Sequence, residues 1–294
     1  MNPLYLLAIF GLAAMATTKV TIQSAFGKKI MQTSADALFY NGMLFAFAAV
    51  IAIPLTIAEK QTLSITTCLY GAAFGILSII FQFSYANAFR TGSVSLTVLI
   101  NSFSLIIPIL FCSIIYEEPL TVNRIIGMIL LFISFFFSVK KDSKFGKFNV
   151  RWLIHTLICF FSGGFASVVL KLHQHTESKE QYSGFVLAAY IVAFTLSALL
   201  YYYKYKSVHV KVTYKLTPKV WIPAAFAGII LGVYQKFNLF LAGIIDSAVL
   251  FPIIGCSVTI MMTICGVLIF RDKLRKIQIL GIGIGIISIA LISM

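Results

Sequence analysis

Long apolar runs, separated by short stretches with charged residues, proline or asparagine, make up most of the chain. A helix needs about 20 mostly apolar residues to cross the hydrocarbon core of a bilayer. Ten runs come close to that length or exceed it, which predicts an all-α polytopic membrane protein with ten transmembrane helices. The predicted spans are residues 3–23, 35–57, 66–89, 93–115, 121–139, 151–172, 183–204, 219–243, 246–269 and 276–293.

The composition agrees with this class. Hydrophobic residues make up 60% of the chain and charged residues 11%, whereas a soluble globular protein has about 25% charged residues. The net charge of +14 is also typical of nucleic-acid-binding proteins, but the basic residues lie between spans and form no single patch. We therefore expect a lipid bilayer and no nucleic acid as partner.

The first run has no basic segment before it, so we interpret it as a membrane helix and not as a cleaved signal peptide.

Two similar halves, residues 1–140 and 151–294, flank a basic linker at 141–150. A constant offset aligns the last two helices of the halves without gaps, and a slightly smaller offset aligns their first helices. Because five spans are an odd number, the second half enters the membrane upside down, and the chain is predicted to be two inverted five-helix repeats with a site between them. The aligned pairs are Ser93 and Ser247, Leu96 and Leu250, Ile100 and Ile254, Glu118 and Asp272, Leu120 and Leu274, Gly127 and Gly281, Ser134 and Ser288, and Lys19 and Lys171.

The order of features within each half is more specific than any one of them. In the first half, residues 83–95 lead to Pro108 and then to the connector YEEPLTVNRIIG at 116–127; the second half repeats this order more loosely through Pro252 and FRDKL at 270–274. This order resembles the EamA-type repeat of the drug/metabolite transporter superfamily over essentially the whole chain. The resemblance implies ten helices, transport of small metabolites, and both termini inside the cell.

The basic residues indicate the opposite orientation. They concentrate in the connections around 24–34, 90–92, 140–151, 204–219 and 270–276, away from the side of the two termini. Cytoplasmic connections carry the excess of lysine and arginine, so this distribution places both termini outside the cell. The orientation is therefore left open.

Lys236 is the most unusual polar residue within a predicted span. It lies about seven residues before the end of its span, or about 10 Å at about 1.5 Å per residue, and snorkelling covers only part of that distance. An unpaired charge at the bilayer centre costs about 2.5–3.5 kcal/mol on insertion scales. Gly228 and Gly232 share its helical face and allow a close helix contact. We therefore expect Lys236 to face the helix bundle.

Amide, hydroxyl and aromatic groups near Lys236, and at comparable depth in the third and fourth spans, complete a candidate substrate site at the interface of the repeats. The alternative is that these groups only join helices through hydrogen bonds, each worth about 0.6 kcal/mol. Lys19 and Lys171, near the ends of their predicted spans, are possible secondary site residues, although they can equally snorkel or bond the last carbonyls of their helices. The candidate binding residues are Lys236, Gln235, Asn238, Tyr234, Gln82, Tyr85, Asn101 and Ser104.

We expect no metal site, no cofactor and no enzymatic activity. His173 and His175 are interpreted as interfacial residues of a connection, and the five cysteines lie in apolar runs without metal-ligand spacing.

Glu117 and Glu118, beside Pro119, are interpreted as the beginning of the fifth helix, whose N-terminal dipole favours negative charge. All nine acidic residues lie at span ends or in connections, which weakens the case for a deep carboxylate that exchanges protons for a cationic drug.

The predicted function is secondary transport of a small metabolite across the plasma membrane. With no deep carboxylate and up to three cationic groups in or near the bundle, we favour a carboxylate-bearing substrate, such as an amino acid or organic acid, and export as the direction. A structural or sensory membrane protein without a transport cycle is the alternative, and an exporter of cationic drugs is a less favoured one. The sequence indicates neither the driving ion nor the oligomeric state.

Overall fold

A computed structural model describes residues 3–30, 33–60, 63–91, 97, 100–138, 150–208, 218–268 and 276–294 of the chain. Within these residues ten helices follow one another and no strand occurs, which confirms the predicted all-α class and matches ten spans. A 3-10 turn, Phe103–Leu105, precedes α4. The helices are α1 (Pro3–Ile30), α2 (Ser34–Ala58), α3 (Ile65–Thr91), α4 (Ile106–Ile115), α5 (Val122–Ser138), α6 (Val150–Gln174), α7 (Tyr182–Val208), α8 (Pro218–Ala242), α9 (Ser247–Leu268) and α10 (Lys276–Ser293).

The outer surface of the bundle is apolar. Six helices, α1, α2, α3, α6, α7 and α8, are long and apolar enough to cross a membrane, and α4, α5, α9 and α10 are shorter apolar helices. Large side chains such as Leu7, Ile65 and Ile114 are mostly exposed, as in a protein whose solvent at this surface is lipid. The protein is therefore an integral multi-pass membrane protein. Several sequence-based predictions lie outside the described residues: the linker at 141–150 apart from Val150, the FRDKL segment at 270–274, and Ser93 and Leu96 of the aligned pairs.

Helix packing follows a reciprocal scheme between the first five and the last five helices. The helix α2 packs against α7, and α5 packs against α10. The contacts of α3 with α6 and α7 have counterparts in the contacts of α8 with α1 and α2, and the contact of α4 with α6 has its counterpart in that of α9 with α1. If each of the first five helices is exchanged with its counterpart among the last five, the main helix–helix contacts therefore stay the same.

Two hydrogen bonds between α5 and α10 obey the same reciprocity. The hydroxyl of Ser134 donates to the carbonyl oxygen of Gly281 at 2.7 Å, and the hydroxyl of Ser288 donates to the carbonyl oxygen of Gly127 at 2.7 Å. The repeat alignment pairs these same serines and these same glycines. The two helices run antiparallel and present equivalent residues to each other, as inverted repeats require. The inverted arrangement itself stays a prediction.

Ser134→Ala and Ser288→Ala are expected to lower the free energy of unfolding by similar small amounts, about 0.6 kcal/mol each. Each change removes one of two equivalent bonds, and the carbonyl that loses its partner remains within a helix. Thermal unfolding in detergent would measure both variants. Thr195→Ala is the control, because its hydroxyl bonds only to its own helix at Val192. A large shift from one serine and none from the other would contradict the equivalence of the two contacts.

Close contact between α8 and α2 depends on two glycines. A Cβ on Gly228 would lie 2.6 Å from the carbonyl oxygen of Leu44, and a Cβ on Gly232 would lie 2.6 Å from Cγ2 of Ile51. These distances leave no room for a side chain. The expected close approach at this face is therefore confirmed, and the same face carries Lys236 toward the end of α2.

Candidate functional site

The helix α1 begins and α10 ends on one side of the bundle, here called the terminus face. The connections on this side are residues 59–64, 116–121, 175–181 and 243–246. Ion pairs and hydrogen bonds at the terminus face join residues of the first half to residues of the second. They therefore determine how the two halves meet.

Lys236 is paired with a carboxylate at this face. Its Nζ lies 3.0 Å from Oε1 of Glu59, the residue that follows α2, and the two side chains are 25% and 17% exposed. Glu59 also accepts a hydrogen bond of 2.7 Å from the hydroxyl of Ser183, at the start of α7. One carboxylate thus links α2, α7 and α8. The predicted bundle-facing orientation of Lys236 is confirmed, and the protein itself supplies a counter-ion.

A second ion pair is buried more deeply. Nζ of Lys171 lies 2.7 Å from Oε1 of Glu118 and 2.8 Å from the carbonyl oxygen of Ile245, and the two charged side chains are 4% and 10% exposed. The other carboxylate oxygen of Glu118 accepts from the backbone N–H of Ser247, the first residue of α9. The positive end of a helix dipole stabilises a carboxylate at that position. Both charges therefore have partners although they lie away from water.

This geometry corrects the interpretation of Glu117 and Glu118 as the beginning of the fifth helix. The helix α5 begins only at Val122, and Glu118 binds the N-terminus of α9 instead. Glu117 precedes it with a left-handed φ of 52° and an exposed side chain. The packing between the halves brings the start of α9 within reach of Glu118, and the local sequence did not indicate this.

A third ion pair lies nearer the surface. NH1 of Arg124, in the first turn of α5, is 2.8 Å from Oδ2 of Asp246 and donates to the carbonyl oxygen of Pro119 at 2.8 Å. The side chain of Asp246 is more than a third exposed, so water and salt weaken this pair. Its contribution to the contact between the halves is therefore small.

His173 is not interfacial, contrary to expectation. It lies in the last turn of α6 and is fully buried, with Nε2 3.1 Å from Oγ1 of Thr67 and Nδ1 3.2 Å from Nε2 of Gln174. An amide nitrogen only donates, so Nδ1 accepts and Nε2 carries the proton toward Thr67. This neutral ring packs against Phe185, and its role is structural.

His175 lies just beyond α6 and is exposed. Its ring stacks on Tyr116 with centroids 3.6 Å apart. Partial burial, and then the nearby charge of Lys171, lower the pKa of His175, which Glu118 opposes. Within the described part of the chain, no group of three histidine, cysteine, aspartate or glutamate side chains could hold a metal ion.

Two side-chain amides of α8 each have one buried polar atom without a hydrogen-bond partner. Nε2 of Gln235 and Oδ1 of Asn238 make no hydrogen bond, although both side chains are buried, whereas Tyr234 packs beside the core that includes Leu241 and Leu250. An unsatisfied buried polar group costs about 1–3 kcal/mol. Water or a bound molecule that made hydrogen bonds to these two atoms would recover that cost.

The candidate residues of the first half lie in α3 and just before α4. Tyr85 stacks on Phe81 of the same helix, with ring centroids 5.2 Å apart. Oδ1 of Asn101 has no partner and lies 3.5 Å from where a Cβ on Gly163 would stand. The helix α3, which carries Gln82 and Tyr85, packs chiefly against α6 and α7, and α8 packs chiefly against α1 and α2. Asn101 and the buried Ser104 lie just before α4.

The sequence suggested that Lys19 lies near the end of its helix, but the structure places it elsewhere. The helix α1 continues to Ile30, so Lys19 lies well inside it and is half-buried. None of the ion pairs among the described residues involves Lys19. Lys171 does not bond the carbonyls of its own helix end either, because it binds Glu118 and Ile245.

Comparison with known proteins agrees with this architecture. Residues 4–140 match the sequence model of the EamA-like transporter family. The chain is 26% identical over 190 residues to an uncharacterized protein of Haemophilus influenzae; this match covers 61% of the chain and 59% of that relative. A protein of known crystal structure superposes with a TM-score of 0.76 over 98% of this chain and 96% of its own, at 15% identity, which shows the fold alone. The resemblance inferred from the sequence is thereby confirmed for residues 4–140, and its extension to a second repeat stays a prediction.

Proposed function

Since residues 4–140 match EamA-like transporters, we propose that this protein is a secondary transporter that moves a small metabolite across the plasma membrane. Its two halves, 1–140 and 151–294, act as inverted repeats that expose a site between them to each side in turn. The reciprocal packing of the helices carries this proposal. Two similar halves that meet through equivalent contacts can exchange their conformations at little net cost in free energy, which alternating access requires.

The substrate site is proposed to lie along α8. Gln235 and Asn238 offer a donor and an acceptor that have no protein partner, and Lys236 and Tyr234 stand beside them on the same helix. Asn101 provides a further unpaired acceptor among the first-half candidates with Gln82, Tyr85 and Ser104, which we assign to a second wall. Lys19 and Lys171 remain secondary candidates.

A carboxylate-bearing substrate, such as an amino acid or organic acid, suits this site best. The ammonium of Lys236 already binds a carboxylate, that of Glu59, and a quarter of its side chain is exposed. A substrate carboxylate of the same chemistry can therefore take the place of Glu59 without leaving the lysine unpaired. Export is the proposed direction. In a structural or sensory membrane protein, no substrate carboxylate would replace Glu59 on Lys236.

Purified protein in lipid vesicles is expected to transport at least one carboxylate compound above the rate of empty vesicles. The test uses a panel of amino acids, organic acids and organic cations, with inward and outward gradients, each with and without a pH difference. Faster flux of carboxylates than of cations supports the substrate class, and the pH difference identifies coupling to protons. Flux of cations only would overturn the substrate class. Absence of flux for every compound would favour the structural or sensory alternative.

A further inference from the structure

We propose that an ionic lock holds the terminus face closed and must open once in every transport cycle. The lock consists of Lys171 in α6, Glu118 before α5, and Ser247 at the start of α9. This inference rests on the proposed function, since only a transporter needs the face to open. It assigns a gating role to these residues, and Lys171 then acts in the lock and not as a secondary residue of the substrate site along α8.

Ion pairing at this face runs between the halves. Within the described ranges, each of the three ion pairs joins a residue before 140 to a residue after 150. Hydrogen bonds at this face do the same, among them those from the backbone N–H of Ser64 to Gln181 and between Thr67 and His173. Separation of the halves at the terminus face would break all of these contacts at once.

The lock is the buried part of this network. Oε1 of Glu118 binds Lys171, the other carboxylate oxygen binds the N–H of Ser247, and Lys171 also binds the carbonyl oxygen of Ile245. The closed state therefore satisfies both charges, in a geometry that only the contact between the halves provides. When the face opens, water hydrates both charges, and this hydration offsets much of the lost attraction. Such a pair makes the closed state specific without making it permanent.

A natural reporter lies directly behind the lock. Cys112, near the end of α4, has no exposed surface. Its backbone carbonyl oxygen accepts a hydrogen bond of 3.3 Å from the N–H of Glu118, so the residue is joined directly to the lock. A reagent from the terminus face reaches this thiol only after the lock residues separate. The rate of modification of Cys112 therefore measures opening without any transport assay.

The test uses a variant that retains only Cys112, with Cys68, Cys159, Cys256 and Cys265 replaced by alanine. Vesicles of this protein are treated from each side with a membrane-impermeant maleimide. Lys171→Met and Glu118→Gln are each expected to raise the rate of modification from the terminus face about tenfold or more, because loss of one ion pair shifts the equilibrium toward the open state. Glutamine keeps an oxygen that accepts from the N–H of Ser247. The substitution therefore removes the charge of Glu118 but retains the hydrogen bond at the start of α9.

Lys276→Met is the control, since Lys276 is an exposed lysine at the start of α10, on the side away from the terminus face. It is expected to leave the rate from the terminus face unchanged. If both lock variants keep the thermal midpoint and helical spectrum of the parent and Cys112 reacts no faster, the lock does not exist. An equal increase in Lys276→Met would also overturn it, because the effect would then not be specific to the lock.

A cross-link tests the same inference if a lock variant fails to fold. Ser247→Cys places a second thiol beside Cys112, and oxidation is expected to join α4 to α9 across the two halves. Flux of the substrate identified by the vesicle panel should stop after oxidation and return after reduction. Full flux through cross-linked protein would show that the face does not open at the lock. If no compound is transported at all, the proposed function fails, and modification of Cys112 still decides whether the lock exists.

Discussion

Lys236→Met is expected to abolish flux of the transported substrate while the protein remains folded. Methionine keeps a similar length and an apolar stem but removes the charge that we assign to the substrate carboxylate. The contact of α8 with α2 survives, because it depends on Gly228 and Gly232. Glu59 keeps the hydroxyl and the backbone N–H of Ser183 as donors, so the loss in stability should be about 1 kcal/mol, well below that of a fully orphaned buried charge.

Glu59→Gln separates a role in substrate binding from a structural role of the ion pair. It leaves the ammonium of Lys236 in place and removes the competing carboxylate, so flux should persist, with a lower KM for a carboxylate substrate. Initial rates across a range of substrate concentrations, with thermal midpoints of both variants, provide the comparison. Equal loss of flux in the two variants would indicate that the ion pair only joins helices. Unchanged flux in Lys236→Met would remove Lys236 from the site.

The sequence predicted the helices well because the bilayer imposes their length. Nearly every predicted span ends within a few residues of the corresponding helix, but α1 continues to Ile30, since hydrophobicity marks the membrane span and not the end of a helix. The fourth span also differs, with a 3-10 turn at Phe103–Leu105. Pro108 explains this turn, because it has no N–H for the carbonyl of Ser104 and its ring crowds that carbonyl.

The candidate site was predicted less completely, for a physical reason. The depth of Lys236 and the glycines on its face indicated that it points into the bundle, and the structure bears this out. Its partner Glu59 and the pairing of Lys171 with Glu118 depend on which helix ends meet at the terminus face. Hydrophobic periodicity assigns residues to helices but not helix ends to each other. The sequence therefore placed the charged residues near span ends without identifying the network that they form.

Gly232→Leu is expected to cause the largest loss of stability among these variants. Its Cβ would lie 2.6 Å from Cγ2 of Ile51 and 2.9 Å from the backbone carbonyl oxygen of Ala48, and a backbone atom cannot move aside as a flexible side chain can. Overpacking of a core costs about 1–3 kcal/mol, and more where the backbone must shift. Separation of α8 from α2 would also break the pair between Lys236 and Glu59. The yield of monodisperse protein in detergent and its thermal midpoint would measure the loss.

Gly283→Leu is the matched control for this prediction. Gly283 lies within α10, and nothing stands within 4 Å of where its Cβ would be. Leucine favours a helix over glycine by about 0.8–1 kcal/mol at either position, so the difference between the two variants reports packing alone. Gly283→Leu should therefore be neutral or slightly stabilising. Equal stability of the two variants would mean that α2 and α8 do not meet at Gly232, and the contact that positions Lys236 beside Glu59 would lose its support.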